Sequence, residues 1–275
     1  IRMIQSDPSL SEVGCIIFDE FHERSINSDL GLALSLQLAE ILRSDLRIIV
    51  MSATLDVGPI SDLLETKAPI ISDGRAYQVN CEYLSRPSSK NVRLWENFAK
   101  LISDAFEMTE GGILAFLPGE AEIRATEKLL KEKLPNTAII MPLFGSLPFE
   151  QQNKILEPLK NETLRKVVLS TSIAETSLTI SGIKVVVDSG YTRRSRYDPA
   201  SGMSRLITQK ISKAEANQRM GRAGRVASGW CYRNWAVSEE GGMLEFPPNE
   251  IEISDLSNFA LELSLWGSKP ESMKF

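Results

Sequence analysis

Four apolar residues, Cys15-Ile16-Ile17-Phe18, run straight into two adjacent carboxylates, Asp19-Glu20. No other stretch constrains the fold as strongly. A short continuous apolar run fits a strand buried in a parallel sheet, and the carboxyl edge of such a sheet is where open α/β folds place ligands. There one carboxylate can hold a hydrated Mg²⁺ while its neighbour polarises an attacking water, which is what a nucleotide-hydrolysing domain requires. A strand ending in two solvated acids is the plainer reading of these residues taken alone. The rest of the chain decides between the two. The only histidine, His22, lies in the continuation Phe21-His22-Glu23-Arg24.

The first third alternates strand and helix signals. Apolar residues recur at helical spacing over 29–46, a second buried strand follows at 47–51, and a short helix at 56–64. Strand, helix and strand at this spacing predict a parallel βαβ unit. From 69 to 91 the helical period is lost and Gly, Pro and Ser accumulate, as in a connecting segment. A second α/β series then begins: helix 95–108, strand 112–116, helix 120–133, strand 138–142, helix 149–156, and strands 166–170 and 185–188. A last helix, 254–265, carries Ser254 as its expected cap. The expected class is therefore α/β. At 275 residues there is room for one large domain or two of ordinary size.

No apolar run approaches the roughly 20 residues that span a bilayer. Cys15, Cys81 and Cys231 lie far apart with no metal-ligand spacing, which suggests reduced thiols in the cytoplasm. The net charge of −5 does not favour a polyanion partner, yet nine Lys/Arg against Asp198 and Glu215 fall between Gly190 and Arg225. That local positive field calls for an explanation.

Three further stretches carry chemistry. Ser52-Ala53-Thr54 follows the second buried strand, where hydroxyls can bond to carboxylates or waters at the neighbouring strand end. Gln218-Arg219-Met220-Gly221-Arg222-Ala223-Gly224-Arg225 spaces three arginines by three residues, so that Arg222 and Arg225 lie about one helical turn apart. Arginine supplies a planar, permanently charged fork suited to phosphate oxygens and transition-state charge. Two glycines within a helix would cost about 1 kcal/mol each relative to alanine, an odd choice for a merely solvated face. The stretch 171–179 holds five hydroxyls and follows a strand, which suits contacts with sugar-phosphate oxygens.

Together these pieces resemble the superfamily 2 helicases of the DEAH/RHA class. Asp19-Glu20-Phe21-His22 is similar to its second motif, Ser52-Ala53-Thr54 to the third and Phe116-Leu117-Pro118-Gly119 to the fourth. The stretch 171–179 is similar to the fifth and Gln218–Arg225 to the sixth. Phe21 stands where the class has alanine, and Phe followed by His22-Glu23-Arg24-Ser25 is similar to the bacterial HrpB group. The resemblance implies tandem RecA-like domains: the end of the first at 1–72, a linker at 73–92, the second at 93–238 with a β-hairpin around 190–211, and the start of a winged-helix region at 239–275.

It also implies roles. Asp19 would anchor Mg²⁺ through water, Glu20 would be the general base, and His22 would couple the nucleotide site to the second lobe. Ser52 and Thr54 would connect that site to strand movement. Gln218 would help place the water, and Arg222 and Arg225 would be arginine fingers on the γ-phosphate of ATP. Ser146 and Thr171 would touch the nucleic-acid backbone, and the basic hairpin with Arg193, Arg194 and Arg196 would separate strands. Ser172 stands where relatives carry asparagine and Ser181 where many carry aspartate, so neither inherits a role. Leu156 roughly replaces an aromatic that stacks on the base.

No Gly-x-x-x-x-Gly-Lys-Ser/Thr occurs in the chain, so the loop that cradles phosphates is missing. In the class it precedes the carboxylate box. The chain is therefore expected to be a fragment, inactive alone, of an ATP-dependent helicase acting 3′ to 5′ on nucleic acid, RNA more than DNA, away from membranes. Two alternatives stand beside it: an RNA-stimulated triphosphatase that remodels ribonucleoprotein without unwinding, and a non-catalytic nucleic-acid-binding scaffold. Protein partners are unknown from sequence.

Overall fold

The computed structural model describes residues 1–53, 57–66, 69–72, 77–87, 94–175, 178–267, 269, 271 and 273. In chain order these form α1 (Arg2–Ser6), β1 (Cys15–Phe18), α2 (Ile26–Ile41), β2 (Arg47–Val50), α3 (Val57–Leu63), β3 (Val79–Tyr83), α4 (Leu94–Met108), β4 (Gly112–Phe116) and α5 (Glu120–Lys133). Next come β5 (Ala138–Leu143), α6 (Phe149–Leu156), β6 (Arg165–Ser170), β7 (Ile183–Asp188), β8 (Tyr191–Asp198) and β9 (Met203–Lys210). Then follow α7 (Lys213–Gly221), β10 (Gly229–Arg233), α8 (Glu250–Ile253) and α9 (Ser257–Trp266). The chain divides into two compact units, one of residues 1–73, 195–205 and 248–275, the other of residues 74–194 and 206–247. Among the described residues no helix is long and apolar enough to cross a membrane.

In the first unit β1 and β2 pair in parallel, Cys15 with Arg47 through Phe18 with Val50, and α2 is the crossover. The helix starts earlier and stops sooner than its apolar spacing suggested. Ser25 caps it by accepting the Ser28 N–H, which satisfies one of the orphan donors of the first turn. Beyond the other end, Arg43 donates to the carbonyls of Ser9, Leu10 and Val13. Leu30, Leu34 and Leu38 pack with Ile4, Leu10, Leu46, Phe259 and Leu263 as this unit's core. Ser254 does not cap the last helix. Its N–H closes α8 on the Glu250 carbonyl, and α9 starts at Ser257, whose N–H and hydroxyl both donate to Asp255.

The second unit is built on a six-stranded sheet in the order β3-β10-β7-β4-β6-β5, with every pairing parallel. Ile113–Phe116, Val167–Leu169 and Val185–Val187 are buried on both faces, which is why the central strands read as unbroken apolar runs. Phe98, Ile102, Ile123 and Leu130 pack on one face; Ile155, Ile180 and Ala223 pack on the other. The chain leaves β4 toward β5 on one side and later returns to β7 on the other, so the order reverses around β4. In open α/β sheets such a reversal opens a crevice at the carboxyl ends.

Three expectations change here. The segment 69–91 is more than a connection, because Val79–Tyr83 forms the edge strand beside β10. Strand β10 had no counterpart in the sequence pattern. The arginine run is helical only to Gly221, so Arg222 lies at the cap and Arg225 in the turn beyond. A Cβ at Gly224 would meet the Tyr77 carbonyl oxygen at 2.6 Å. That glycine therefore lets the turn pass close to the chain entering β3, whose Tyr77 N–H donates to the Gly224 carbonyl at 2.9 Å.

A Cβ at Gly229 would sit 2.4 Å from the Lys184 carbonyl oxygen and 2.5 Å from that of Ala223. Gly229→Ala should lower stability by about 1–3 kcal/mol, the usual cost of forcing volume into a packed interior. Thermal unfolding of the two proteins checks it, and an unchanged melting temperature would show that β10 can shift without cost.

Candidate functional site

Directly after β1 the backbone turns hard. Glu20 adopts φ 51°, ψ 36° and Arg24 φ 48°, ψ 46°, left-handed conformations that cost residues with a Cβ of order 1 kcal/mol or more. The neighbours fix them. The Phe21 N–H donates to the Met51 carbonyl at 3.0 Å and the Met51 N–H to the Phe18 carbonyl at 2.8 Å, stitching the two strand ends together. The Phe21 ring is buried, edge-on to Phe18, with the Arg24 guanidinium 5.6 Å from its centroid. Arg24 in turn pairs with the buried Asp29 at 2.9 Å. Phe21 thus acts as a plug that pushes Asp19 and Glu20 outward at the carboxyl end of β1.

His22 Nδ1 accepts the Ala53 N–H at 3.3 Å and lies 3.5 Å from Glu20 Oε2. Accepting from a backbone amide uses the Nδ1 lone pair and leaves the neutral ring's proton on Nε2. His22 links the acidic strand end to Ser52-Ala53, the segment read as the coupling motif. Thr54, its third member, lies outside the described residues.

In the second unit the arginine run meets the 171–179 stretch. Arg219, 1% exposed, pairs with Glu175 at 3.1 Å and Asp188 at 2.9 Å. It also donates to the Tyr191 carbonyl at 3.2 Å and lies 4.9 Å from the Phe116 ring centroid. Arg222 is buried and donates to the carbonyls of Glu175 and Leu178. Arg225 is exposed, with one nitrogen 2.7 Å from Thr179 Oγ1. A cleft of about 200 Å³ between these elements is lined by Thr179, Ser181, Arg222 and Arg225 with apolar walls from Leu114 and Ile180. The two expected fingers are therefore inequivalent: Arg222 holds the loop and Arg225 faces solvent.

Glu175 and Asp188 carried no role in the sequence reading, although Asp188 closes an apolar strand run much as Asp19 follows one; β7 is buried, whereas β1, expected to be buried, leaves Cys15 and Ile17 exposed. One cation between two buried acids leaves excess negative charge. Burial accordingly pushes the Glu175 carboxyl up to about 7, against the pull of Arg219. Arg219, facing both acids, is held well above its ordinary value despite its own burial.

The nucleic-acid candidates fall at the same sheet edge and on the hairpin. Ser146 is exposed in the turn after β5, and Thr171 is half-buried after the neighbouring β6, with its N–H on the Leu143 carbonyl. Gln218 is half-buried on α7. The hairpin arginines differ from one another. Arg193 pairs with Glu122 at 2.9 Å and Arg194 with Glu215, whereas Arg196 is exposed on β8.

Two outcomes follow. Between pH 4.5 and about 7 the folded chain keeps a proton on Glu175 that the unfolded chain has released. Stability contributed at low pH is then lost as pH rises through that window. Unfolding of Glu175→Gln across it should show a flatter profile than wild type, and parallel profiles would contradict the assignment. Arg222→Lys should cost about 1–3 kcal/mol, because an ammonium lacks the planar fork whose three nitrogens meet the Glu175 and Leu178 carbonyls together. Arg225→Lys should leave the melting temperature nearly unchanged.

The helicase conserved C-terminal domain family matches residues 94–227. The ATP-dependent RNA helicase HrpB of Escherichia coli is 42% identical over 275 residues, covering 100% of this chain and 34% of that protein. The ATP-dependent RNA helicase HrpA homolog of Haemophilus influenzae is 39% identical over 266 residues, 96% of this chain and 20% of that one. The crystal structure of the Escherichia coli DEAH/RHA helicase HrpB superposes with a TM-score of 0.92 at 41% identity, covering 100% of this chain and 35% of that one. The chain thus spans about a third or less of the length of these relatives. With its acidic strand end, its arginine run and this likeness in sequence and fold, the chain belongs to the DEAH/RHA helicase family and is similar throughout to HrpB.

Proposed function

We propose that the protein carrying this chain is an ATP-dependent RNA helicase that travels 3′ to 5′ and separates strands at the β8–β9 hairpin. The observation that carries the reading is the acid pair. Asp19 and Glu20 stand at the carboxyl end of a parallel strand on backbone that is strained and held from behind by a buried Phe21. A surface that only binds nucleic acid has no use for two carboxylates fixed at such a cost. The names of the relatives, all RNA helicases, favour RNA over DNA.

Asp19 is an exposed hard oxygen donor, the type Mg²⁺ takes together with waters and phosphate oxygens, so the donor set fits. Mg²⁺ bound with ATP would neutralise charge on the phosphates. In this reading Glu20 accepts a proton from the attacking water and Gln218 helps orient that water. Arg222 and Arg225 offset charge on the γ-phosphate. His22, with Ser52 and Thr54, passes the state of the nucleotide to the rest of the molecule. Ser146 and Thr171 hold the nucleic-acid backbone at adjacent strand ends, and the exposed Arg196 meets its phosphates.

In the full-length protein Glu20→Gln should abolish ATP hydrolysis and leave ATP binding nearly intact. The amide keeps the shape but cannot accept a proton, a step worth ~10²–10⁴-fold. Near-normal turnover would remove Glu20 from the mechanism. Strand displacement on 3′-tailed RNA and DNA duplexes tests the wider reading: hydrolysis stimulated by RNA with no displacement would favour remodelling without unwinding.

A further inference from the structure

The hairpin and the arginine-bearing helix are joined by a charge pair that lies in none of the motifs. Arg194, fourth residue of β8, donates through Nη2 to Glu215 Oε1. The other oxygen of Glu215 accepts the Ser212 N–H and hydroxyl, each at 2.7 Å, and Ser212 Oγ accepts the Glu215 N–H at 3.2 Å. One buried carboxylate thus starts α7, the helix of Gln218 and Arg219 that leads to Arg222, and also grips the middle of β8. Arg219 adds a second hold on the Tyr191 carbonyl where β8 begins.

We infer that Glu215 and Arg194 are positioning residues that lock the hairpin to the arginine-bearing helix, so that movement of the helix is delivered to the hairpin. The inference deepens the helicase reading and rests on it. A carboxylate that only capped a helix would need no cation, since glutamine at the same position completes a capping box equally well. Taking the Glu215 carboxylate and much of Arg194 out of water carries a desolvation cost that a cap alone does not require. The three neighbouring arginines also divide their work: Arg193 is turned to Glu122, Arg194 to Glu215, and Arg196 to solvent. A basic strand serving phosphates alone would direct all three outward.

Glu215→Gln separates the two jobs of this carboxylate, because it keeps the cap and removes the charge pair. In the full-length protein RNA-stimulated ATP hydrolysis should stay within about threefold of wild type while strand displacement falls about tenfold, equivalent to ~1.4 kcal/mol. Arg194→Met should lower displacement to the same degree, the double variant should be no worse than either single one, and Arg194→Lys should restore most of the loss. In the full-length protein, amide exchange of Glu215→Gln should quicken along β8 while β4, β6 and β7 keep their protection. Hydrolysis and displacement falling together would overturn the inference in favour of a merely structural pair, as would unchanged displacement. If the wild-type protein separates no duplex, the helicase reading fails on its own. The exchange experiment then decides alone, and unchanged protection of β8 overturns the lock.

Discussion

A single guanidinium holds the working edge of the second unit together. Arg219, almost wholly buried, meets Glu175 in the loop after β6, Asp188 at the end of β7 and the Tyr191 carbonyl at the start of the hairpin, and it lies over Phe116 at the end of β4. Burying a cation without partners is prohibitive, and a point charge could not reach all of these at once. The planar fork can. Four segments leaving the sheet are thereby fixed relative to one another, and the loop that Arg222 grips by its carbonyls inherits that order. The cost surfaces at Glu175, whose carboxyl is raised by its burial.

The first unit solves the same problem by another means. At the end of β1 the polar groups are presented by strained backbone and an aromatic plug instead of a buried cation. Hydrogen bonds between Phe21, Met51 and Phe18 tie the strand ends, and the Arg24–Asp29 pair braces the plug. Both devices make polar groups at a strand's carboxyl end rigid, which preorganised chemistry requires.

The central strands were legible because burial on both faces leaves an unbroken apolar run, as at Val185–Val187. Of the strands flanking them β5 was legible as well, but β3 and β10 were not. At the edge strand β3, polar Asn80 and Glu82 break the apolar run of Val79, Cys81 and Tyr83, and β10 opens on Gly229 and an exposed Trp230. Helix ends shifted where side chains outside the apolar period decide them, as Ser25 does for α2. The acid pair and the arginine run could be read as candidates, since each is contiguous in sequence. Their partners could not. Glu175 and Asp188 reach Arg219 across 44 and 31 residues, and Glu215 reaches Arg194 across 21. Only the fold brings such pairs together. Phe21 was visible as a departure from the family's alanine, but its work as a plug depends on Phe18 and Arg24 closing around it. Gly224 illustrates the opposite case: a glycine that is an odd choice for a solvated helix face is room for the chain at Tyr77.

The claim that Arg219 organises this edge is tested most directly by amide exchange on Arg219→Lys, which keeps the charge and loses the fork. Exchange should quicken locally at 172–175, 189–191 and 213–221 while β4 and β6 retain their protection. Protection equal to wild type in those three segments would contradict the account, because the charge alone would then be holding them.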